Sequence, residues 1–336
     1  MGIGPALSLA LVLCAVPAPK PSLEVAYLRA LELQRKIGQG GRPRDLAGWA
    51  HELAGLAAVA KGSNAGSADV QQLRDSIERG AESTLANLAV RMHNEAKKHR
   101  STQLFLLANR AYEDYLPLFP ENRWAYDLRF FHAELLNDNL NRYEEAAAEY
   151  TRVLQLDIAK VDAAEGALPG ALPGAPGRWM LHAAYNAVLA YDEVAKREEK
   201  DEVPPSADPK IELPIPKAQG DLLAACERYL KYAPKGERYV SVLYKTAYTY
   251  YRYNHFDEAV PRLARVALEL PDHDDLGPTS ATLILDTYVL LGDWAKVQEW
   301  ARRFLEHPRL GKGKFREELR KTLDEAASRL SSRQAK

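Results

Sequence analysis

Apolar residues recur along most of this chain at helical spacing, and the clearest stretch is 240–271, VSVLYKTAYTYYRYNHFDEAVPRLARVALELP. Leu243, Ala247 and Tyr250 fall on one side of a first segment, and Ala259 and Leu263 on one side of a second. Intervals of three and four residues are those of an amphipathic helix. Tyr253-Asn254-His255 reads as the polar turn between them. Pro271 ends the second helix, because proline cannot continue the backbone ladder. Two antiparallel helices joined so tightly need small residues where they cross. Ala247 and Ala259 are those residues, with Tyr250 and Leu263 beside them. One such pair leaves an apolar face open, so neighbours must stack on it.

The same frame recurs. Met92, Ala96, Ala108, Tyr112 and Pro120 take the positions of Leu243, Ala247, Ala259, Leu263 and Pro271 without a gap, with His99 at the position of Tyr250. A unit at 125–158 follows, with Ala133 and Leu136 in its first helix and Ala146 and Tyr150 in its second, after one inserted residue. Residues 178–193 give a first helix with Ala184, Ala187, Val188 and Tyr191 in frame; its partner at 217–233 carries Leu222, Cys226 and Tyr229. The last unit, 278–308, has Ala281, Ile284, Tyr288, Val297 and Ala301, with Gly292-Asp293-Trp294 at the turn. There Leu285 replaces the small residue, so its two helices are expected to sit further apart. The second-helix landmarks Ala108, Ala146, Leu222, Ala259 and Val297 are 38, 76, 37 and 38 residues apart.

Outside these units, residues 22–37 and 45–60 read as two helices, and 69–99 as one long helix or two. ALPGALPGAPG at 167–177 sustains neither helix nor strand, and reads as a mobile linker between two stacks. KREEKDEVPPSADPKIELPIPK interrupts the fourth unit, and its proline-rich part is expected to loop out. Residues 314–330 form a last amphipathic helix, with Phe315, Leu319, Leu323, Ala326 and Leu330 inward. The organisation is therefore an apolar segment at 1–18, N-terminal helices at 22–83 readable as a degenerate repeat, and a first stack at 84–158. A linker at 159–177, a second stack at 178–308 with an insert at 194–216, and a capping helix within 309–336 complete it.

Leu243, Thr246, Ala247, Tyr250, Ala259, Leu263 and Pro271 occupy the seven positions of the signature W-x2-L-G-x2-Y…A-x3-F…P, which spans about 34 residues. On those positions the chain resembles the tetratricopeptide repeat (TPR) family. The resemblance implies an all-α fold, a right-handed α-solenoid of antiparallel helix pairs. It would hold about five recognisable repeats, the N-terminal helices and the C-terminal capping helix. In that family the first helices of the pairs line a concave face. Ligand contacts are then expected from Ser241, Tyr244, Tyr248, Tyr251 and Arg252, and from His182, Tyr185, Leu189, Asp192 and Glu193. Tyrosine suits such a surface: it offers wide contact area with few rotamers to freeze. The phrases NRAYEDYLPLFP, RFFHAELL, AAYNAVLAYDE, LLAACERYLKYAPKGE and YNHFDEAVPRL also resemble bacterial cell-envelope TPR proteins of the kind associated with myxobacterial gliding-motility complexes.

Composition narrows the function. Net charge is −1, from 45 basic and 46 acidic residues, which argues against a nucleic-acid or anionic-membrane partner held by bulk electrostatics. Cys14 and Cys226 are the only cysteines, so there is no disulfide framework, and Cys226 reads as a small core residue. Residues 3–18, IGPALSLALVLCAVPA, are too short for a membrane span and resemble a signal-peptide core, although no Lys or Arg precedes them and Pro19 follows Ala18. A buried N-terminal helix or a mis-set start are the other readings. Export would put the protein in the periplasm or cell envelope; without it, the cytoplasm is expected.

His273-Asp274-Asp275 has no second ligand cluster at metal spacing and reads as a loop. Gly311-Lys312-Gly313-Lys314 lacks the phosphate-loop frame and reads as a basic turn. His99, His132 and His182 are single histidines on helices, read as packed or surface side chains. No hydrolase, metalloprotease or dinucleotide motif occurs. The expectation is a non-enzymatic scaffold, without cofactor or metal, that holds a peptide or protein subunit in its groove. The alternative is a helical accessory or regulatory subunit whose specific contacts lie in residues 1–90 or the 194–216 insert. An enzyme with a site in the N-terminal third is the third reading.

Overall fold

A computed structural model describes residues 22–64, 66–163, 177–198, 208–271 and 275–334. The apolar run at 3–18, residues 164–176 of the linker, 199–207 of the insert, and His273-Asp274 lie outside the described residues. Among the described residues the chain is all helical, with thirteen α-helices, one π-helical turn and no strand. The helices are α1 (Leu23–Gln39), α2 (Pro43–Lys61), α3 (Ala68–His99), α4 (Thr102–Tyr115), α5 (Ala125–Glu134) and α6 (Tyr143–Ala163). Then come α7 (Met180–Glu198), α8 (Lys217–Tyr232), α9 (Tyr239–Arg252), α10 (Phe256–Glu269), α11 (Leu276–Leu290), α12 (Trp294–Glu306) and α13 (Gly313–Gln334). The stretch 69–99 is one helix of 32 residues rather than two.

Local chemistry sets many of the ends. Ser22, Ser67 and Ser101 accept hydrogen bonds from the N–H groups of Val25, Val70 and Leu104 at 3.4, 3.3 and 3.4 Å, and Asp293 accepts from Lys296 at 3.0 Å. Each satisfies a donor that the first helical turn leaves open. Three helix-to-helix turns use a left-handed residue at the same place in the frame: Asn141 (φ 54°), Asn254 (φ 60°) and Gly292 (φ 68°). Asn and Gly are the residues that tolerate this conformation.

The crossing alanines behave as their size demands. Ala96, Ala108, Ala133, Ala146, Ala247 and Ala259 are all fully buried. Twelve residues separate them in α3/α4 and in α9/α10, but thirteen in α5/α6. The extra residue is absorbed by the π-helical turn Leu135–Asn139, where the Leu140 N–H reaches back to the Leu135 carbonyl at 3.2 Å. A π turn is how a helix takes up one inserted residue without losing its hydrogen bonds. α11 and α12 pack less extensively than α9 and α10, and Leu285 is buried on α11.

Packing follows chain order. α1 packs on α2 and α3, and α2 on α3 and α4; from α5 onward each helix packs on the next through α13. α7 lies directly against α6, so helix-on-helix packing continues from α6 to α7. Asp157 on α6 pins the start of α7. It accepts from the Tyr126 hydroxyl at 2.7 Å and from the Gly177 N–H at 2.6 Å, while the Tyr126 oxygen accepts from the Trp179 N–H at 2.8 Å. Trp179 stacks on Phe130, with ring centres 4.2 Å apart.

The described end of the insert, residues 208–216, is loop, and it is tied down. The Leu213 N–H donates to the Tyr253 carbonyl at 2.9 Å, and Asn254 Nδ2 donates to the Ile211 carbonyl at 3.0 Å. His255 Nε2 lies 2.9 Å from the Leu213 carbonyl. Its return strand of chain is thus strapped to the α9–α10 turn, because that tight turn presents its own polar groups outward. At the other end, Leu319 and Ala326 of α13 are buried, and Phe315, Leu323 and Leu330 are half-buried. Gly311 is required before α13, since a Cβ there would run into the Leu305 carbonyl.

Candidate functional site

α9 carries two faces. Val242, Leu243, Thr246 and Ala247 go into the core, and Thr246 satisfies its hydroxyl on the Val242 carbonyl at 2.8 Å. Tyr244, Tyr248 and Tyr251 sit four and three residues apart on another stripe. Their rings form a ladder: Tyr244 and Tyr248 stack at 6.0 Å and 12°, and Tyr248 and Tyr251 at 6.4 Å and 17°. Tyr248 in the middle is 41% exposed. Tyr244 and Tyr251 are half-buried and brace it; Tyr251 leans on Phe256 at 5.7 Å. Burial pushes the Tyr244 and Tyr251 phenols above their ordinary range, and the Asp286 carboxylate adds to this at Tyr251. Both therefore stay neutral hydrogen-bonding groups at physiological pH.

α7 meets α9 through Lys245, whose Nζ donates to Asp192 Oδ1 at 2.7 Å. Lys196 approaches Asp192 at 3.0 Å and Glu193 at 2.8 Å. Asp192 is thus held between two lysines. Leu189 is 40% exposed. Tyr185 is half-buried, its ring 5.7 Å from that of Tyr229 and covered by Arg238 at 5.9 Å. His182 is exposed near the start of α7, its ring 6.1 Å from Trp179. Ser241 and Arg252 are half-buried at the two ends of α9. Of the ten residues expected from the sequence, the ladder of three is brought together, and Asp192 is tied to the same helix through Lys245, while Glu193 pairs with Lys196 on α7. Tyr185 packs between helices, and His182 lies with Trp179.

On the other side α9 faces α11, where sequence reasoning named no site residue. Asp286 lies close enough to raise the Tyr251 phenol, and burial raises its own carboxyl. It opens onto a cleft of about 300 Å³ between α11 and α13, lined also by Val289, Trp294, Phe315, Glu318 and Glu325. The missed signal was the interval Thr282, Asp286, Val289, the same four-and-three stripe as the tyrosines.

The remaining chemistry is internal. Burial pushes the Cys226 thiol up to about 12, which leaves it a poor nucleophile. Among the described residues, no group of three or more His, Cys, Asp or Glu could hold a metal ion, and no helix is long and apolar enough to cross a membrane. No family model matches the chain, and no curated protein matches it at a significant level.

Proposed function

We propose that the protein is a non-enzymatic interaction scaffold, a TPR-like right-handed α-solenoid that holds a peptide or protein subunit against α7, α9 and α11. The recurrent left-handed turn at Asn141, Asn254 and Gly292 and the buried crossing alanines support the repeat reading. The single observation that carries the function is the stacked ladder Tyr244–Tyr248–Tyr251, with its central ring left open to solvent between two braced neighbours. A pre-ordered aromatic surface costs little further entropy on binding, which is what a contact anchor needs. Leu189 is a second exposed apolar residue, on α7, and Asp286 lies near the Tyr251 end of the ladder. The protein acts in the cell envelope if its N-terminal segment directs export, and in the cytoplasm otherwise.

The test is partner capture by the Tyr248→Ala/Arg252→Ala double variant. A central anchor is worth roughly 2 kcal/mol or more, about thirtyfold in affinity. Capture should be lost while helix content, read by circular dichroism, is unchanged. Undiminished capture by the folded variant would refute the proposal.

A further inference from the structure

A second cleft, of about 580 Å³, lies between α3 and α5. Pockets that hold ligands run from roughly 300 to 1,000 Å³. Its wall carries Arg91 on α3, Arg123 and Trp124 at the entry to α5, Asp127 and Phe131 on α5, and Arg178 just before α7. From this constellation we infer a binding site for an acidic peptide segment that also presents an aromatic or bulky apolar side chain.

Charge is the first argument. Three guanidinium groups face one carboxylate, and that carboxylate is already committed. Asp127 is buried, accepts from Trp179 Nε1 at 2.6 Å, and lies 3.6 Å from Arg178. Arg178 is engaged in turn, lying over the Trp179 ring at 4.5 Å. Arg91 and Arg123 are exposed. Arg91 donates to the Ile37 carbonyl at 3.3 Å, and Arg123 lies over Trp124 at 4.7 Å. Among the described residues neither has a carboxylate partner. Guanidinium forks pair with carboxylates two bonds at a time. In a chain of net charge −1 this is a local excess of positive charge, not a property of the whole surface.

Shape is the second argument. Trp124 is 42% exposed, a large apolar ring left in water beside an arginine, and Phe131 is half-buried in the same wall. An aromatic wall beside two guanidinium forks without carboxylate partners suits a side chain and a carboxylate a few ångströms apart on one stretch of peptide. Nucleic acid fits less well, because phosphate recognition draws on an extended run of cations. The cleft belongs to α3 and α5, so this site and the tyrosine ladder stand or fall separately.

The experiment titrates the full chain with a fluorescent, terminally blocked octapeptide alternating Glu and Phe, read by polarisation. Matched arms use Lys in place of Glu, Glu with Ser in place of Phe, and a single-stranded deoxyoligonucleotide. The Glu/Phe peptide should bind best, and should weaken roughly tenfold or more in the Arg91→Glu/Arg123→Glu variant and in Trp124→Ala. Tyr248→Ala should leave it unchanged. The double charge reversal should also gain affinity for the Lys/Phe peptide, an effect that misfolding does not produce. Equal binding of the acidic and basic peptides, undiminished binding by the double variant, tighter binding of the oligonucleotide, or no peptide binding at all would overturn the assignment.

Discussion

Acid should unfold this protein through two buried histidines well before its carboxylates titrate. His93 and His132 are 3% and 6% exposed. Tyr112 lies between them: its hydroxyl is 2.9 Å from His93 Nδ1, and its ring stacks on His132 at 5.3 Å. His132 Nε2 lies 2.8 Å from Asn109 Oδ1. The remaining nitrogens, His93 Nε2 and His132 Nδ1, are buried without a hydrogen-bond partner. Burial pulls the two imidazoles from an ordinary 6.5 down to about 4 and about 3. Lys97 adds to this at His93; Arg142, Arg129, His93 and Arg152 add to it at His132.

The sign follows from linkage. Below pH 6.5 the unfolded chain takes up protons that the folded chain refuses, so stability is full above 6.5 and falls as pH drops toward 4 and 3. Each histidine costs up to about 1.4 kcal/mol per pH unit in that window, so the pair costs about 3 kcal/mol between pH 6.5 and 5. That is a large share of the roughly 5–15 kcal/mol that holds a typical domain together. The assay is urea unfolding, followed by circular dichroism at half-unit steps from pH 7.5 to 5, on the native chain, His93→Gln, His132→Gln and both together. The slope between pH 6 and 5 should halve in each single variant and lose this contribution in the double. A slope that the double variant leaves unchanged would refute the reasoning.

Two further outcomes test the packing. Ala247→Leu forces a branched side chain into a fully buried crossing and should cost roughly 1–3 kcal/mol, whereas Leu285→Ala opens a cavity at the equivalent crossing and should cost roughly 2–5 kcal/mol. Urea midpoints report both; a neutral Ala247→Leu would mean that the helices do not cross there. Asp157→Ala removes the acceptor of the Tyr126 hydroxyl and the Gly177 N–H, and should cost roughly 2–3 kcal/mol and redden Trp179 emission as the start of α7 loosens. Unchanged stability and emission would show that Asp157 does not pin that junction.

The helices were legible because their constraint is steric and local. A crossing pair needs a small residue on each side, and Ala247 with Ala259, or Ala96 with Ala108, advertise it at fixed spacing. The insertion between Ala133 and Ala146 was also visible as a count, but not its place. Where a helix widens depends on which carbonyls can be re-bonded, and sequence spacing does not carry that. The strap on the insert was not legible for a related reason: Ile211 and Leu213 are loop residues, as expected, but their bonds depend on Asn254 and His255 facing them. At the candidate site, the interval from Tyr244 to Tyr251 placed three rings on one stripe, and they stack. Tyr185 shared that kind of stripe on α7, yet Tyr229 and Arg238 reach it from the neighbouring elements. A single helix reveals its own faces, not what the next one covers.

The central claim is that a partner sits on the tyrosine stripe. A photo-activated cross-linking residue placed at Tyr248, at Leu189, and at the exposed Glu258 of α10 would locate that partner in cells that make the protein. One shared cross-linked protein is expected from positions 248 and 189, and none from 258. Cross-links to the same protein from 258, with none from 248, would contradict it.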